Sequence, residues 1–417
     1  MQPQPVLATG TAPGSTSRLA ALDALREPRF RLLWLAGLAI NSARWLDFLA
    51  LGWIAYELTD SVLMVGVAAF FRAAPMMVLG LFTGLIVDRF PRGRLLISVQ
   101  CLNLAAALCL ALLFGSGHGS FGLLIFFETL IGIAWSLDLP SRRTVLYTLV
   151  GPRRLTNAVS LESMSQQGTK MVGPLLGGLL LNRVGAAGCY LALALIYVLA
   201  LVMIVALVRR ARLVNTGTGE TVLAGLATGL REVRAQPVIL GVLAITIAMN
   251  LLVFPYQQMW SVLARDILHV NSELLGLLIA VDGFGALLGA SIVAAWPGFS
   301  RHSQVFVGGA LCSSALVIGL ALSPWYALSL FIQFLLGLAE SGFATMQAAL
   351  ILMHASDRAR GRAMGILTVC IGTGPIGALI IGFSASQIGA PLATAFGGML
   401  GLTAMLPIVW LMKRRRS

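Results

Sequence analysis

The sequence predicts an all-α polytopic membrane protein, with twelve transmembrane helices in two pseudo-symmetric six-helix bundles. Three observations carry this. Hydrophobic residues make up 58% of the chain and charged residues 11%, against roughly 25% charged in a soluble chain. Apolar runs of about 20 residues, each long enough to cross a bilayer, recur twelve times between short polar turns. The second six runs repeat features of the first six.

The runs, taken as helices 1 to 12, are Phe30 to Glu57, Val62 to Val87, Leu95 to Phe114, Phe121 to Leu139, Met164 to Leu181, Ala187 to Val208, Val238 to Met259, Leu274 to Trp296, Val305 to Leu322, Trp325 to Met346, Met364 to Ser386 and Leu392 to Met412. Alternate turns hold most of the 29 basic residues, among them Arg89, Arg92 and Arg94, then Arg142 and Arg143, then Arg358, Arg360 and Arg362, whereas the intervening turns hold Arg183 and Arg265. Loops rich in Lys and Arg stay in the cytoplasm, so both termini are expected there. The divisions are a cytoplasmic tail over 1–29 whose first 17 residues are rich in Gly, Pro, Ser and Thr, bundles over 30–209 and 237–412, a linker over 210–236, and a basic tail over 413–417. Within the linker, Val222, Leu223, Leu226, Leu230 and Val233 are spaced as on an amphipathic helix lying on the membrane, or a plain connector.

The net charge of +13 does not indicate a nucleic-acid partner, because the basic residues recur at turns and do not gather on one tail or face. The five cysteines lie in apolar runs without paired spacing and read as small apolar fillers. No metalloprotease, nucleophile-elbow or phosphate-loop pattern occurs, which argues against an enzyme. No metal or cofactor is expected.

The repeat is weak but ordered. Gly132-Ile-Ala134-Trp-Ser136 in helix 4 matches Gly337-Leu-Ala339-Glu-Ser341 in helix 10, Gly173-Pro174 in helix 5 matches Gly374-Pro375 in helix 11, and Gly66 through Arg72 in helix 2 matches Gly276 through Asp282 in helix 8. Duplicated six-helix units are the plan of secondary transporters, whose substrate sits near the midplane between the repeats.

Between helices 2 and 3 the chain carries Gly84, Asp88, Arg89, Arg92 and Arg94, and helix 5 carries Gly168, Gly173, Pro174, Gly177 and Gly178. The first set resembles the loop signature of the major facilitator superfamily, and the second the glycine-proline signature of its exporters. Asp357 to Arg362 and Asp60-Ser61 resemble the bacterial exporter branch that includes the enterobactin exporter and drug:proton antiporters. The resemblance covers Arg26 to Arg416. It implies a monomeric exporter in the bacterial cytoplasmic (inner) membrane, driven by the proton gradient. Drug-exporting members often carry Arg where this chain has Glu128. Apart from the family, Asp88 at a helix end suits the exposed amides at the start of helix 11, and Arg89 or Arg92 suits Asp138, together a conformational latch; the basic residues serve topology equally well.

A charged residue at a helix centre costs ~2.5 to 3.5 kcal/mol on insertion scales, so each marks a pair, a cavity or a site. There are seven: Asp47, Glu128, Asp282, Glu340, Arg44, Arg72 and Lys170. Equal depth allows Asp47 to meet Arg72, with Arg44 one turn away as a competing partner. Equal depth also allows Lys170 to meet Asp282 between the halves. Glu128 and Glu340 have no opposite charge in their own helices, which with Asp47 makes them proton-coupling candidates; the alternative is that Glu128 or Glu340 binds the substrate or pairs with Lys170.

Helix 7 carries Asn250, Pro255, Gln257 and Gln258, so a bend is expected at Pro255. Gly173, Pro174, Gly177, Gly374 and Pro375 are expected at helix contacts or gates. Trp45, Phe254, Tyr256 and Phe331 are candidates for an aromatic cavity wall. The expected function is proton-coupled export of small amphipathic or hydrophobic molecules, with a uniporter or flippase for lipid-like substrates as the alternative. The expected partners are that small molecule and the lipid bilayer.

Overall fold

The computed structural model describes residues 24–79, 90–211, 236–295, 302–355 and 360–414. Gly84, Asp88, Arg89 and the linker helix over 221–236 fall largely or wholly outside these residues, as do both terminal tails for the most part.

Every element among the described residues is helical. α1 is Pro28–Thr59, α2 Val62–Leu79 and α3 Arg92–Gly115. Helical backbone then runs from Phe121 to Arg210, but it is not a straight rod. Arg142 bonds Glu162 at 3.0 Å and Glu128 bonds Tyr190 at 3.1 Å, distances that a straight helix rising 1.5 Å per residue forbids. The run folds back between Arg142 and Glu162 and again at Gly185, whose φ is +66°, a value glycine adopts without steric cost. Its arms are α4 (121–150), α5 (157–184) and α6 (186–210).

α7 spans Pro237–Ile267, α8 Ser272–Ala295, α9 His302–Ala321 and α10 Tyr326–His354. α11 comprises Arg360–Ile371 and Gly374–Ile388, and α12 is Ala390–Arg414. Ten described stretches are long and apolar enough to cross a membrane. One of them holds both α5 and α6, and α1 is a further crossing, so the twelve crossings expected from the sequence are present. Outward-facing residues such as Leu112 (71% exposed) and Leu195 (63%) are apolar, as contact with hydrocarbon requires. The polar ends of α4, α5 and α10 extend beyond the apolar runs, because helical hydrogen bonding does not stop where hydropathy does.

The pseudo-symmetry is visible in backbone contacts. A Cβ placed on Gly132 would lie 2.0 Å from the carbonyl oxygen of Arg72, and one on Gly337 would lie 2.0 Å from that of Asp282. α4 therefore meets α2 as α10 meets α8. Between the halves, α5 crosses α8 where Gly276 approaches Pro174, and α11 crosses α2 where Gly66 approaches Ala378 and Gly382.

These contacts correct the helix 5 to helix 11 match. Gly173 abuts Ser42 and Trp45 of α1, and Gly377 abuts Leu251 and Pro255 of α7. Gly173 thus corresponds to Gly377, and Pro174 to Ala378; the shared Gly-Pro dipeptide drew the sequence match to Gly374-Pro375. Pro375 instead begins the second segment of α11 after a break at Gly372 and Thr373, a first-turn position that suits its fixed φ.

Candidate functional site

α7 is where the helical hydrogen-bond pattern changes most. It is α-helical over Pro237–Ala248, π-helical over Met249–Val253, 3-10 over Phe254–Met259, and π-helical again over Leu263–Ile267. Pro255 has no N–H to donate, and Gly377 of α11 packs against its ring. The irregular turns carry Asn250, Phe254, Gln257 and Gln258 onto the wall of a central cavity of about 470 Å³. Arg44, Trp45 and Phe48 of α1, Arg72 of α2, Trp135 of α4 and Pro375 of α11 form the remaining wall at the same level. Leu139 and Arg143 extend it toward the end of the bundle where the basic turns lie. A side lobe of about 220 Å³ shares Trp45, Asn250 and Phe254 and reaches Lys170 and Glu340.

The other end is closed. Tyr56 Oη donates to Asp266 at 2.5 Å, Asn182 Nδ2 to Glu273 at 3.1 Å, and Ser272 Oγ to the carbonyl of Gly178 at 3.1 Å. All three bonds join the N-terminal half to the C-terminal half. These bonds tie the halves together at that end, while the cavity wall reaches toward the basic end.

The seven intramembrane charges form two clusters and one outlier. In the first, Arg72 Nη2 lies 2.8 Å from Asp47 and Arg72 Nε 3.8 Å from Glu128. Tyr190 Oη donates to Glu128 at 3.1 Å. In the second cluster, Lys170 Nζ lies 2.5 Å from Asp282 and 3.3 Å from Glu340, and Tyr256 Oη donates to Glu340 at 3.1 Å. Trp45 and Phe48 stand between the clusters: Lys170 lies 5.4 Å from the Trp45 ring and Arg72 5.9 Å from the Phe48 ring.

Several expectations change. Glu340 meets Lys170, one of the two partners the sequence left open to it, whereas Glu128 faces Arg72 of α2 and not Lys170. Arg44 does not compete for Asp47; its guanidinium lies 5.3 Å from Trp45 and 4.8 Å from Trp135. Asp138 is bound by Arg142 Nε at 2.6 Å and by Gln100 Nε2 at 3.0 Å, not by Arg92, which donates to Thr148 at 3.5 Å. Arg142 sits one turn from Asp138 on α4 and is only 4% exposed, so intrahelical geometry decides the partner. Of the aromatic candidates, Trp45 and Phe254 line the cavity, Tyr256 is fully buried, and Phe331 is 59% exposed on the outer face.

Tyr190 and Tyr256 belong to the two clusters as much as the charged residues do, and Arg142 with Glu162 forms a separate network around Asp138. The two tyrosines had a signal, a hydroxyl inside an apolar run. Gln333 is a further case: it is fully buried and stands one turn before Gly337, as Glu128 stands one turn before Gly132.

The family model described as transmembrane secretion effector matches residues 19–416. The staphyloferrin A transporter of Staphylococcus aureus (strain NCTC 8325 / PS 47) is 21% identical over 350 residues, covering 83% of this chain and 86% of that protein. The multidrug efflux pump Tap of Mycolicibacterium fortuitum is 25% identical over 382 residues, covering 88% and 89%. Among solved structures, a bacterial homolog of the human lysosomal transporter Spinster, inward-facing and unoccupied, superposes with a TM-score of 0.69 at 15% identity, covering 93% of this chain and 96% of that one.

Proposed function

The chain belongs to the transmembrane secretion effector family of major facilitator transporters, and on that footing we propose that it exports small amphipathic, drug- or siderophore-like organic molecules by alternating access, using proton entry as the driving force. It is an integral membrane transporter and not an enzyme. In this reading it works as a monomer in the bacterial inner membrane with both termini in the cytoplasm, and it needs no cofactor beyond the proton gradient.

The observation that carries the reading is one ammonium shared by two carboxylates at the boundary between the halves. Lys170 belongs to the first bundle, and its partners Asp282 and Glu340 to the second. Glu340 borders the side lobe of the cavity, whereas Asp282 is fully buried. A proton arriving on Glu340 removes one of the two charges that hold Lys170, leaving Asp282 as its partner and loosening the contact with α10. Substrate enters from the basic end while Tyr56–Asp266 and the Gly66–Gly382 crossing keep the other end shut. The α2–α11 and α5–α8 crossings, built on glycines at close approach, are the surfaces about which the bundles rock.

Support for the substrate class comes from the cavity, whose volume suits a drug-sized molecule and whose wall mixes aromatic rings with amides. The test is a substrate panel in proteoliposomes with and without a pH gradient. Accumulation that needs the gradient is expected. Flux that persists unchanged after its collapse would replace this reading with a uniporter or flippase.

A further inference from the structure

Among the described residues, the wall of the main cavity carries Arg44, Arg72 and Arg143 and no Asp or Glu. The three arginines differ in what answers them. Arg72 has Asp47 and Glu128. Arg143 is exposed near the mouth. Arg44 sits deeper, at the level of Arg72, whose Nη2 donates to its backbone carbonyl at 3.1 Å. Among the described residues, no carboxylate oxygen lies within 4 Å of the Arg44 guanidinium, whereas Arg72, Lys170 and Arg142 all have such partners.

Its neighbours are two indole rings, Trp135 at 4.8 Å and Trp45 at 5.3 Å. A cation–π contact engages the charge but offers no acceptor to the N–H groups. A guanidinium inside a membrane span that keeps its charge, holds its position between rings and leaves its donors unmatched is placed to receive an oxyanion, for which its planar fork gives two parallel hydrogen bonds. A cationic cargo at the same place would meet three arginines and, among the described residues, no acid on the wall.

The geometry points to a cargo that is an organic anion: a carboxylate or similar planar oxyanion seated on Arg44, attached to a flat apolar body that lies against Trp45, Trp135 and Phe254. This deepens the transport reading above and rests on it. Arg143 at the mouth draws the anion in, and Asn250 and Gln257 on the facing wall meet whatever neutral polar groups the body carries.

The test uses two probes with one ring system and opposite charge, 1-pyrenebutyrate and a pyrenebutyl trimethylammonium. Binding to the purified full chain is read by energy transfer from tryptophan to pyrene, and carriage by flux in proteoliposomes. The carboxylate is expected to bind at least ten times more tightly than the ammonium compound. Arg44→Gln should remove that preference by weakening the carboxylate alone, and Arg44→Lys, which keeps the charge but not the fork, should fall between. Equal or tighter binding of the ammonium compound would overturn the inference, as would equal loss of both probes in Arg44→Gln. Competition by ring-free butyrate or inorganic phosphate as strong as that by pyrenebutyrate would overturn the organic part, leaving a site for small anions. If Arg44→Gln elutes as aggregate, the preference of the wild-type chain between the two probes decides. A carboxylate that binds with the expected preference but is never carried contradicts the transport reading and leaves the anion site standing.

Discussion

Lys170 of α5 meets Asp282 of α8 at 2.5 Å, so a buried ion pair spans the crossing that joins the two bundles. Removing the cation strands two buried carboxylates, and breaking a buried pair costs about 3–5 kcal/mol. Lys170→Met is expected to lower the unfolding temperature of the purified protein sharply. Asp282→Asn, which leaves Lys170 with Glu340 at 3.3 Å, should cost less. Equal unfolding temperatures for Lys170→Met and the wild type would show that the pair contributes nothing to stability.

The Arg72 cluster makes a parallel prediction with a built-in contrast. Arg72→Gln leaves Asp47 and Glu128 facing each other without a cation and should lose about 3–5 kcal/mol. Glu128→Gln keeps the Arg72–Asp47 contact at 2.8 Å and should fold in normal yield. Size-exclusion profiles and thermal unfolding of both variants check the order; a less stable Glu128→Gln would reverse the assignment of partners.

Glycines at the crossings test the pseudo-symmetry. Gly132→Ala and Gly337→Ala each push a methyl against a backbone carbonyl, of Arg72 and Asp282 respectively, and overpacking of this kind costs ~1–3 kcal/mol. The two are expected to be similarly destabilising. Gly168→Ala meets nothing within 4 Å and should be neutral or stabilising by up to about 1 kcal/mol. A destabilised Gly168→Ala alongside an unaffected Gly132→Ala would contradict the packing described.

The shut end depends on polar bonds that can be removed without touching the core. Tyr56→Phe deletes the bond to Asp266 while keeping the ring. A thiol introduced by Asn250→Cys, on the cavity wall, should then react faster with a membrane-impermeant reagent supplied from that end. An unchanged rate would mean that the Gly66–Gly382 and Gly178–Ser272 contacts close the end by themselves.

The crossings and the location of most charged sites were legible because burying a charge or breaking an apolar run leaves a mark at a single position. Asp47 with Arg72 and Lys170 with Asp282 followed from depth alone, since helices that span one bilayer place equal depths side by side. Partners that depend on helix rotation were not legible. Glu128 faces Arg72 and not Lys170 because of how α2 and α4 are turned, and Arg44 turns toward Trp135 while Asp47, one turn further along α1, faces Arg72. The helix 11 register was misread because proline draws an alignment by its rarity, whereas the contact is made by Gly377 and Gly382, chosen for their lack of a side chain. Tyr190 was passed over and Tyr256 was read as cavity wall, because a hydroxyl that bonds a buried carboxylate looks in sequence like any other aromatic.

The central claim is that cargo moves in exchange for protons through the Lys170 cluster. The most direct measurement traps a pH-sensitive dye inside proteoliposomes that hold no imposed pH gradient and follows internal pH when cargo is added outside. The wild-type chain is expected to shift internal pH as cargo crosses, and Glu340→Gln to carry cargo, if at all, with the pH unmoved. Cargo movement by the wild-type chain with no change in internal pH, or an undiminished pH change in Glu340→Gln, would contradict the claim.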